Sequence, residues 1–291
     1  MDSSLLTIGL PIALAVIMLG LGLDLTPSDF ARVARRPKAV TVALTCQILL
    51  LPLVAFGLVK VFGLSPFLAV GFMLLAASPG GTTANLYSHL FRGDVALNIT
   101  LTAINSILAI VTLPIVTNLA LAYFTGSEDG LTMQYGKVIQ VFAIVLIPVG
   151  IGMLIRAKSP EFVSRMDKPV RIASAILLLL VVLGAILAEK DNVGQYFAQV
   201  GLVSTLFCAI SLTVGYLVPR LLGMSDREAI ASGFEIGIHN STLAIAMAVT
   251  VLGEAEMAVP SAVYGIVMFF VAAAFGMVVS RRAKARSAEL V

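Results

Sequence analysis

Charge is almost absent from long stretches of this chain, and that absence limits what it can fold into. Charged side chains gather in short clusters, and the apolar runs between them approach or exceed the roughly 20 residues a helix needs to cross a bilayer. Nine runs are read, at about 4–24, 39–62, 66–91, 94–123, 134–156, 169–188, 196–222, 226–253 and 258–280. With 59% hydrophobic and 12% charged residues and a mean hydropathy of +1.03, the 291 residues are expected to form a single domain. That domain, 1–291, is expected to be an all-α polytopic membrane protein of nine transmembrane helices, with no separate soluble unit.

The basic residues separate by side. Arg32, Arg35, Arg36 and Lys38 follow the first run, and Arg92 sits between the third and fourth. Arg156, Lys158, Arg165, Lys168 and Arg171 follow the fifth, Arg220 and Arg227 the seventh, and Arg281, Arg282, Lys284 and Arg286 the ninth. The opposite loops hold only Lys60, Lys137 and Lys190, beside Glu128, Asp129, Glu189, Asp191, Glu254 and Glu256. Lys- and Arg-rich loops stay in the cytoplasm. The chain is therefore expected to lie in the cell's inner (plasma) membrane, N-terminus outside, with 281–291 as a cytoplasmic tail near anionic lipid.

One acid breaks the apolar pattern. Glu235 lies inside the eighth run, in Gly233-Phe234-Glu235-Ile236-Gly237-Ile238-His239-Asn240-Ser241-Thr242. A carboxylate at membrane depth is costly, so it persists only with a partner, a cavity or a bound cation. Gly237 and the polar residues after it predict a helix that breaks there. The third run carries a second interruption, Ser78-Pro79-Gly80-Gly81-Thr82-Thr83-Ala84-Asn85, where proline removes a backbone donor and paired glycines weaken the helix. A kink that serves only packing would explain either break alone. Two breaks five runs apart run in opposite directions, and both set glycine a few residues before asparagine. Matching them pairs run 2 with 7, 1 with 6 and 4 with 9, leaving 5 unmatched. The expectation is an inverted-repeat transporter fold, with 4–123 as a first repeat lacking its first helix and 134–280 as the second.

The intramembrane polar inventory is short. Gln47 lies mid-run in the second helix, and Asn98, Thr102, Asn105 and Ser106 lie in the fourth. Asn98 and Thr102 are four apart and share a helix face. With Asn85, Glu235, His239 and Asn240 they supply hard oxygens and one negative charge, a set that suits Na⁺ and not a transition metal. Only His89 and His239 are present, so no zinc site is expected, and Cys46 and Cys208 read as small buried hydrophobes. Ser225-Asp226-Arg227-Glu228 reads as a capping box opening the eighth run. There is no phosphate loop, dinucleotide fingerprint or HExxH, so no cofactor, nucleic acid or obligate protein partner is expected. No Ser/His, Asp/Asp or metal constellation supports an intramembrane enzyme. A passive channel or scaffold is a further class, which saturable uptake would exclude.

Pro79-Gly80-Gly81-Thr82-Thr83-Ala84-Asn85 followed by Arg92-Gly93-Asp94-Val95-Ala96-Leu97, Gly22-Leu23-Asp24-Leu25-Thr26-Pro27-Ser28-Asp29-Phe30, and Glu235-Ile236-Gly237-Ile238-His239-Asn240-Ser241 resemble the bile acid:sodium symporter family. The resemblance implies a core domain with two crossing broken helices, a panel domain moving against it, and Na⁺ as coupling ion. It implies a first Na⁺ site from Asn85, Asn98, Thr102, Glu235 and the Ala84 carbonyl. A second would use Gln47, Glu235, the carbonyls of Ile236 and Ile238, and His239. Thr82, Thr83, Asn85, Asn240 and Ser241 would lie at the substrate, where half-helix N-termini offer positive dipole ends to an anion. Where this chain has His239 the family carries an amide. An imidazole is a poorer Na⁺ ligand and can titrate near neutral pH, so the second site is expected to be weak, lost or proton-linked. The last run lacks polar residues that some relatives carry. The substrate is expected to be an organic anion, a bile acid or a small pantoate-like carboxylate, imported with Na⁺ by alternating access. The alternative is a proton-coupled carrier using Glu235 and His239.

Overall fold

The computed structural model describes residues 3–29, 31, 36–81, 83–126, 135–163, 165–166, 169, 172–173, 176 and 193–289, and among these every regular element is helical. The expected span at 169–188 and the acidic clusters at 128–129 and 189–191 lie mostly or wholly outside them. In chain order the helices are α1 (Ser3–Asp24), α2 (Pro37–Phe62), α3 (Pro66–Ala77), α4 (Thr83–Leu90) and α5 (Val95–Phe124). They continue with α6 (Tyr135–Lys158), α7 (Val193–Leu221), α8 (Asp226–Gly237), α9 (Ser241–Ala246) and α10 (Val259–Glu289).

Among the described residues, five segments are long and apolar enough to cross a bilayer: Pro37–Phe62, Val95–Phe124, Val138–Lys158, Phe197–Leu221 and Glu256–Arg281. Their outer faces are apolar. Leu53 is 68% exposed, Leu119 66% and Phe270 74%, an arrangement that suits lipid and would drive aggregation in water. The chain is a multi-pass membrane protein.

Proline accounts for two of the irregularities. In α2, Pro52 cannot donate to Ile48, and the helix passes through a π turn at Cys46–Leu50 in which the Leu51 N–H reaches back to the Cys46 carbonyl. A second π turn, Met247–Leu252, follows α9 and stops at Gly253, whose φ is +80°. The α3 helix ends at Ser78, held extended (φ −69°, ψ 148°) because the residue before a proline is pushed out of the α region. The expected capping box opens α8: the Glu228 N–H donates to Ser225 Oγ at 3.3 Å and the Ser225 N–H to Glu228 Oε2 at 3.0 Å.

The two interruptions meet. Gly80 and His239 form an antiparallel bridge, with the Gly81 N–H donating to the Ile238 carbonyl at 2.7 Å and the Asn240 N–H to the Pro79 carbonyl at 2.8 Å. Backbone groups freed by each break are thereby satisfied by the other, as a low-dielectric interior demands. Around this crossing, α5 packs on α3 and α8, and α7 on α8 and α10. The α1 helix lies along α6 instead. Gly22 rests on the Val149 backbone, and Arg156 donates to the Leu23 carbonyl at 2.6 Å. At the end of the core where α2, α5 and α8 begin, Arg36 pairs with both Asp94 and Glu228 at 2.9 Å.

Candidate functional site

Glu235 lies near the end of α8, three residues before Ile238 leaves the helix, and is only 2% exposed. Its Oε2 accepts from the Thr102 hydroxyl at 2.5 Å, and its Oε1 has no hydrogen-bond partner. Gly80 of the other break lies directly against the carboxylate, so close that any side chain there would overlap it. One turn before Thr102 on α5, the Asn98 Nδ2 donates to the Ala231 carbonyl at 2.8 Å, one turn before Glu235 on α8. That bond leaves the buried Asn98 Oδ1 unpartnered. On α4, Ala84 is fully buried, and both amide atoms of Asn85 are buried without a partner. An unpaired buried acceptor costs roughly 1–3 kcal/mol, and a charged one more. Glu235 Oε1, Asn98 Oδ1 and Asn85 Oδ1 are three such buried hard oxygens.

A second cluster surrounds His239 of the bridge. Gln47, on the π turn of α2, is buried; its Nε2 donates to the Ser78 carbonyl at 3.0 Å and lies 3.5 Å from His239 Nδ1. That leaves Gln47 Oε1 free. His239 Nδ1 also lies 3.3 Å from the Ser78 carbonyl, and its Nε2 has no partner. The ring stacks on Phe207 at 5.4 Å and 21°, with Tyr264 edge-on at 5.4 Å. Of the two carbonyls expected here, that of Ile238 already accepts from Gly81, whereas Ile236 is relieved of its helical donor because Asn240 turns to Pro79. This cluster thus offers one amide oxygen, the Ile236 carbonyl and one ring nitrogen, with no charge of its own, a poorer donor set for a hard cation than the first.

The residues expected at the substrate sit where the second half-helices begin. Thr83 and Asn85 occupy the first turn of α4. Asn240 caps α9 by accepting from the Leu243 N–H at 3.0 Å, and Ser241 follows with its buried hydroxyl unpartnered. Thr82 lies outside the described residues.

Several neighbours of the site carry no sequence signal. The Gly237 carbonyl, freed by the break, accepts from the Tyr264 hydroxyl at 2.9 Å, and the Cys208 thiol points to it at 3.6 Å. Nothing in either side chain's local sequence tells which freed carbonyl it will cap. The same holds for the contact of Gly80 with Glu235, which sits 155 residues further along the chain.

Sequence comparison places this geometry among transporters. The profile of the Sodium Bile acid symporter family matches residues 11–196. The chain is 30% identical over 256 residues to the uncharacterized sodium-dependent transporter YocS of Bacillus subtilis, covering 88% of this chain and 78% of that one. It is 31% identical over 256 residues to the probable sodium/metabolite cotransporter BASS1, chloroplastic, of Arabidopsis thaliana, covering 87% of this chain and 62% of the plant protein. Against the ileal sodium/bile acid cotransporter of Homo sapiens it is 27% identical over 245 residues, 83% of this chain and 69% of the human protein.

Proposed function

The chain belongs to the sodium bile acid symporter family, and from that premise we propose that it is a sodium-coupled symporter, a transporter and not an enzyme, importing an organic anion by alternating access. The observation that carries this reading is the unpartnered Glu235 Oε1 against Gly80 of the crossing, with buried, unpartnered oxygens of Asn98 and Asn85 on the two helices, α5 and α4, that pack against α8. Na⁺ bound to Glu235 would neutralise the one acid of the crossing. The Thr102 hydroxyl has one proton and two acceptors, Glu235 Oε2 at 2.5 Å and the Asn98 carbonyl at 3.1 Å. With a cation on the carboxylate, that proton is free to turn to Asn98, and the hydroxyl lone pair joins the ion.

The antiparallel bridge also supports the inverted repeat. It relates Gly80 to His239 and Ser78 to Gly237, and each of the latter carbonyls is capped from a neighbouring helix: Ser78 by Gln47, Gly237 by Tyr264. On this reading α2–α5 and α7–α10 form the core within repeats 4–123 and 134–280. The α1–α6 pair, with the expected span at 169–188, forms the panel and completes nine spans. On the same reading, the basic loops favour an N-terminus outside the inner membrane and 281–291 in the cytoplasm. Substrate, a bile acid or a small pantoate-like carboxylate, would bind between panel and core near Thr82, Thr83, Asn85, Asn240 and Ser241. There the starts of α4 and α9 present positive dipole ends. The Ser241 hydroxyl is unpartnered and ready to donate.

The second reading is proton coupling through Glu235 and His239, and the unpartnered His239 Nε2 favours it. Thermal stability in choline, titrated with Na⁺, Li⁺ and K⁺ at two pH values, separates the two. A ligand that binds only the folded state stabilises it by about 2.7 kcal/mol at 100 Kd. A saturable, Na⁺-selective shift absent in Glu235→Gln supports sodium. A shift with pH alone, lost in His239→Gln, would replace sodium by protons.

A further inference from the structure

The two breaks are not held open in the same way. At the first, Pro79 has no N–H and cannot carry α3 onward. At the second, the run from Glu235 to Thr242 contains no proline. Every residue there has an N–H, and nothing in the backbone chemistry forbids α8 from running straight into α9. A continuous helix would have the Ser241 N–H donate to the Gly237 carbonyl, four residues earlier. It donates to the His239 carbonyl at 3.0 Å instead.

The crossing takes up several of the groups that this break frees. The Asn240 N–H and the Ile238 carbonyl pair with the first break, and the Asn240 side chain caps α9. Between them they leave the Gly237 carbonyl without a backbone partner. Tyr264, in the second turn of α10 and fully buried, donates its hydroxyl to that carbonyl at 2.9 Å. The other donor in reach, the Cys208 thiol at 3.6 Å, is a weak one. Packing holds the Tyr264 ring independently of this hydrogen bond. It lies edge-on to His239 at 5.4 Å and tilted against Phe207 at 5.9 Å.

We infer that Tyr264 is a positioning residue for the cation on Glu235: by occupying the Gly237 carbonyl it displaces the Ser241 N–H and keeps the second break open. The inference rests on the sodium-coupled reading. Without the hydroxyl, the Gly237 carbonyl is left bare in a low-dielectric interior, where an unpaired backbone group is costly. The nearest remedy is the helix's own, in which Ser241 turns back to Gly237 and α8 lengthens. Asn240 then returns to the Ile236 carbonyl and gives up Pro79, and the bridge that sets Gly80 against Glu235 is lost. In this role Tyr264 acts through the Gly237 carbonyl and supplies no ligand to the ion.

The test is thermal unfolding of the purified protein in choline, followed by Na⁺ titration. Tyr264→Phe removes one oxygen and keeps the ring. Its Na⁺ midpoint is expected to rise about tenfold, the worth of one hydrogen bond. The same change is then made on Ser241→Pro, because proline suits the first position of a helix and has no N–H to offer Gly237. There the loss of the hydroxyl is expected to leave the midpoint where Ser241→Pro alone sets it. A Tyr264→Phe protein that is less stable in choline and yet keeps the parent's midpoint makes Tyr264 a packing residue only, and overturns the inference while sodium coupling stands. An equal rise in both backgrounds overturns it too. Should Tyr264→Phe alone not fold, the Ser241→Pro pair decides: equal midpoints support the inference, and unequal ones, or a double variant that does not fold, overturn it. Absence of any Na⁺ response in the parent protein overturns the sodium-coupled reading and this inference with it.

Discussion

Gly80→Ala replaces one hydrogen at the crossing with a methyl group, and the structure states where it goes. A Cβ on Gly80 would fall on the Glu235 carboxyl carbon and both its oxygens, inside any allowed contact distance. Backbone pairing on either side, Gly81 to Ile238 and Asn240 to Pro79, keeps the bridge from opening to make room. The carboxylate must therefore rotate away, giving up the Thr102 hydrogen bond. Overpacking of this kind costs about 1–3 kcal/mol in stability. The larger effect is on the ion. At an effective dielectric of about 20, a carboxylate–Na⁺ attraction of about 7 kcal/mol at about 2.4 Å falls to about 4 kcal/mol at about 4 Å. The difference of about 3 kcal/mol is about 100-fold in affinity. Thermal unfolding of Gly80→Ala in choline reads the packing cost, and its Na⁺ titration reads the shift in midpoint. Gly57→Ala is the control, since an added methyl there meets nothing within 4 Å. A Gly80→Ala protein that is less stable in choline and yet keeps the parent's Na⁺ midpoint would refute the placement of the cation on Glu235.

Thr102→Val keeps the shape of the side chain and removes its oxygen. It should raise the Na⁺ concentration for half-maximal stabilisation about tenfold, the worth of one hydrogen bond or ligand to a charged group; an unchanged midpoint would take Thr102 off the ion. Gln47→Ala should leave the Na⁺ titration unaltered, because His239 leaves the second cluster short of oxygens. His239→Gln should turn a hyperbolic Na⁺ titration into a steeper, two-ion one, and a curve that stays hyperbolic would remove the imidazole as the cause. Arg36→Ala should cost under about 1 kcal/mol, and less in high salt, because Arg36 is 46% exposed while it pairs with Asp94 and Glu228. Chemical unfolding at two salt concentrations reads it, and a larger, salt-insensitive loss would show that it locks the core.

The sequence by itself determined the class of fold and the points at which helices fail. Long runs without charge admit helices that cross a bilayer, because only a closed set of backbone hydrogen bonds survives in lipid. Pro79 ends α3 at Ser78, and the Ser225/Glu228 capping box opens α8, through contacts within four residues of chain. Glu235 could be singled out for the same reason: the cost of burying its charge depends on the lipid around it, not on any particular neighbour. Asn98 and Thr102 were legible as one face of α5, since helix geometry fixes that spacing.

What only the tertiary structure decided is which distant groups those local features meet. That Gly80 and not Gly81 faces the Glu235 carboxylate follows from the register of the bridge, which a shift of one residue would reverse. That Gln47 turns its nitrogen to Ser78 and leaves its oxygen free depends on a π turn set by Pro52 and on a carbonyl 31 residues away. The caps on Gly237, Tyr264 and Cys208, are 27 and 29 residues from it on different helices. Each of these is a hydrogen bond or a steric contact between segments far apart in sequence. Such contacts are selected by packing over the whole core, and no local pattern of residue types encodes them.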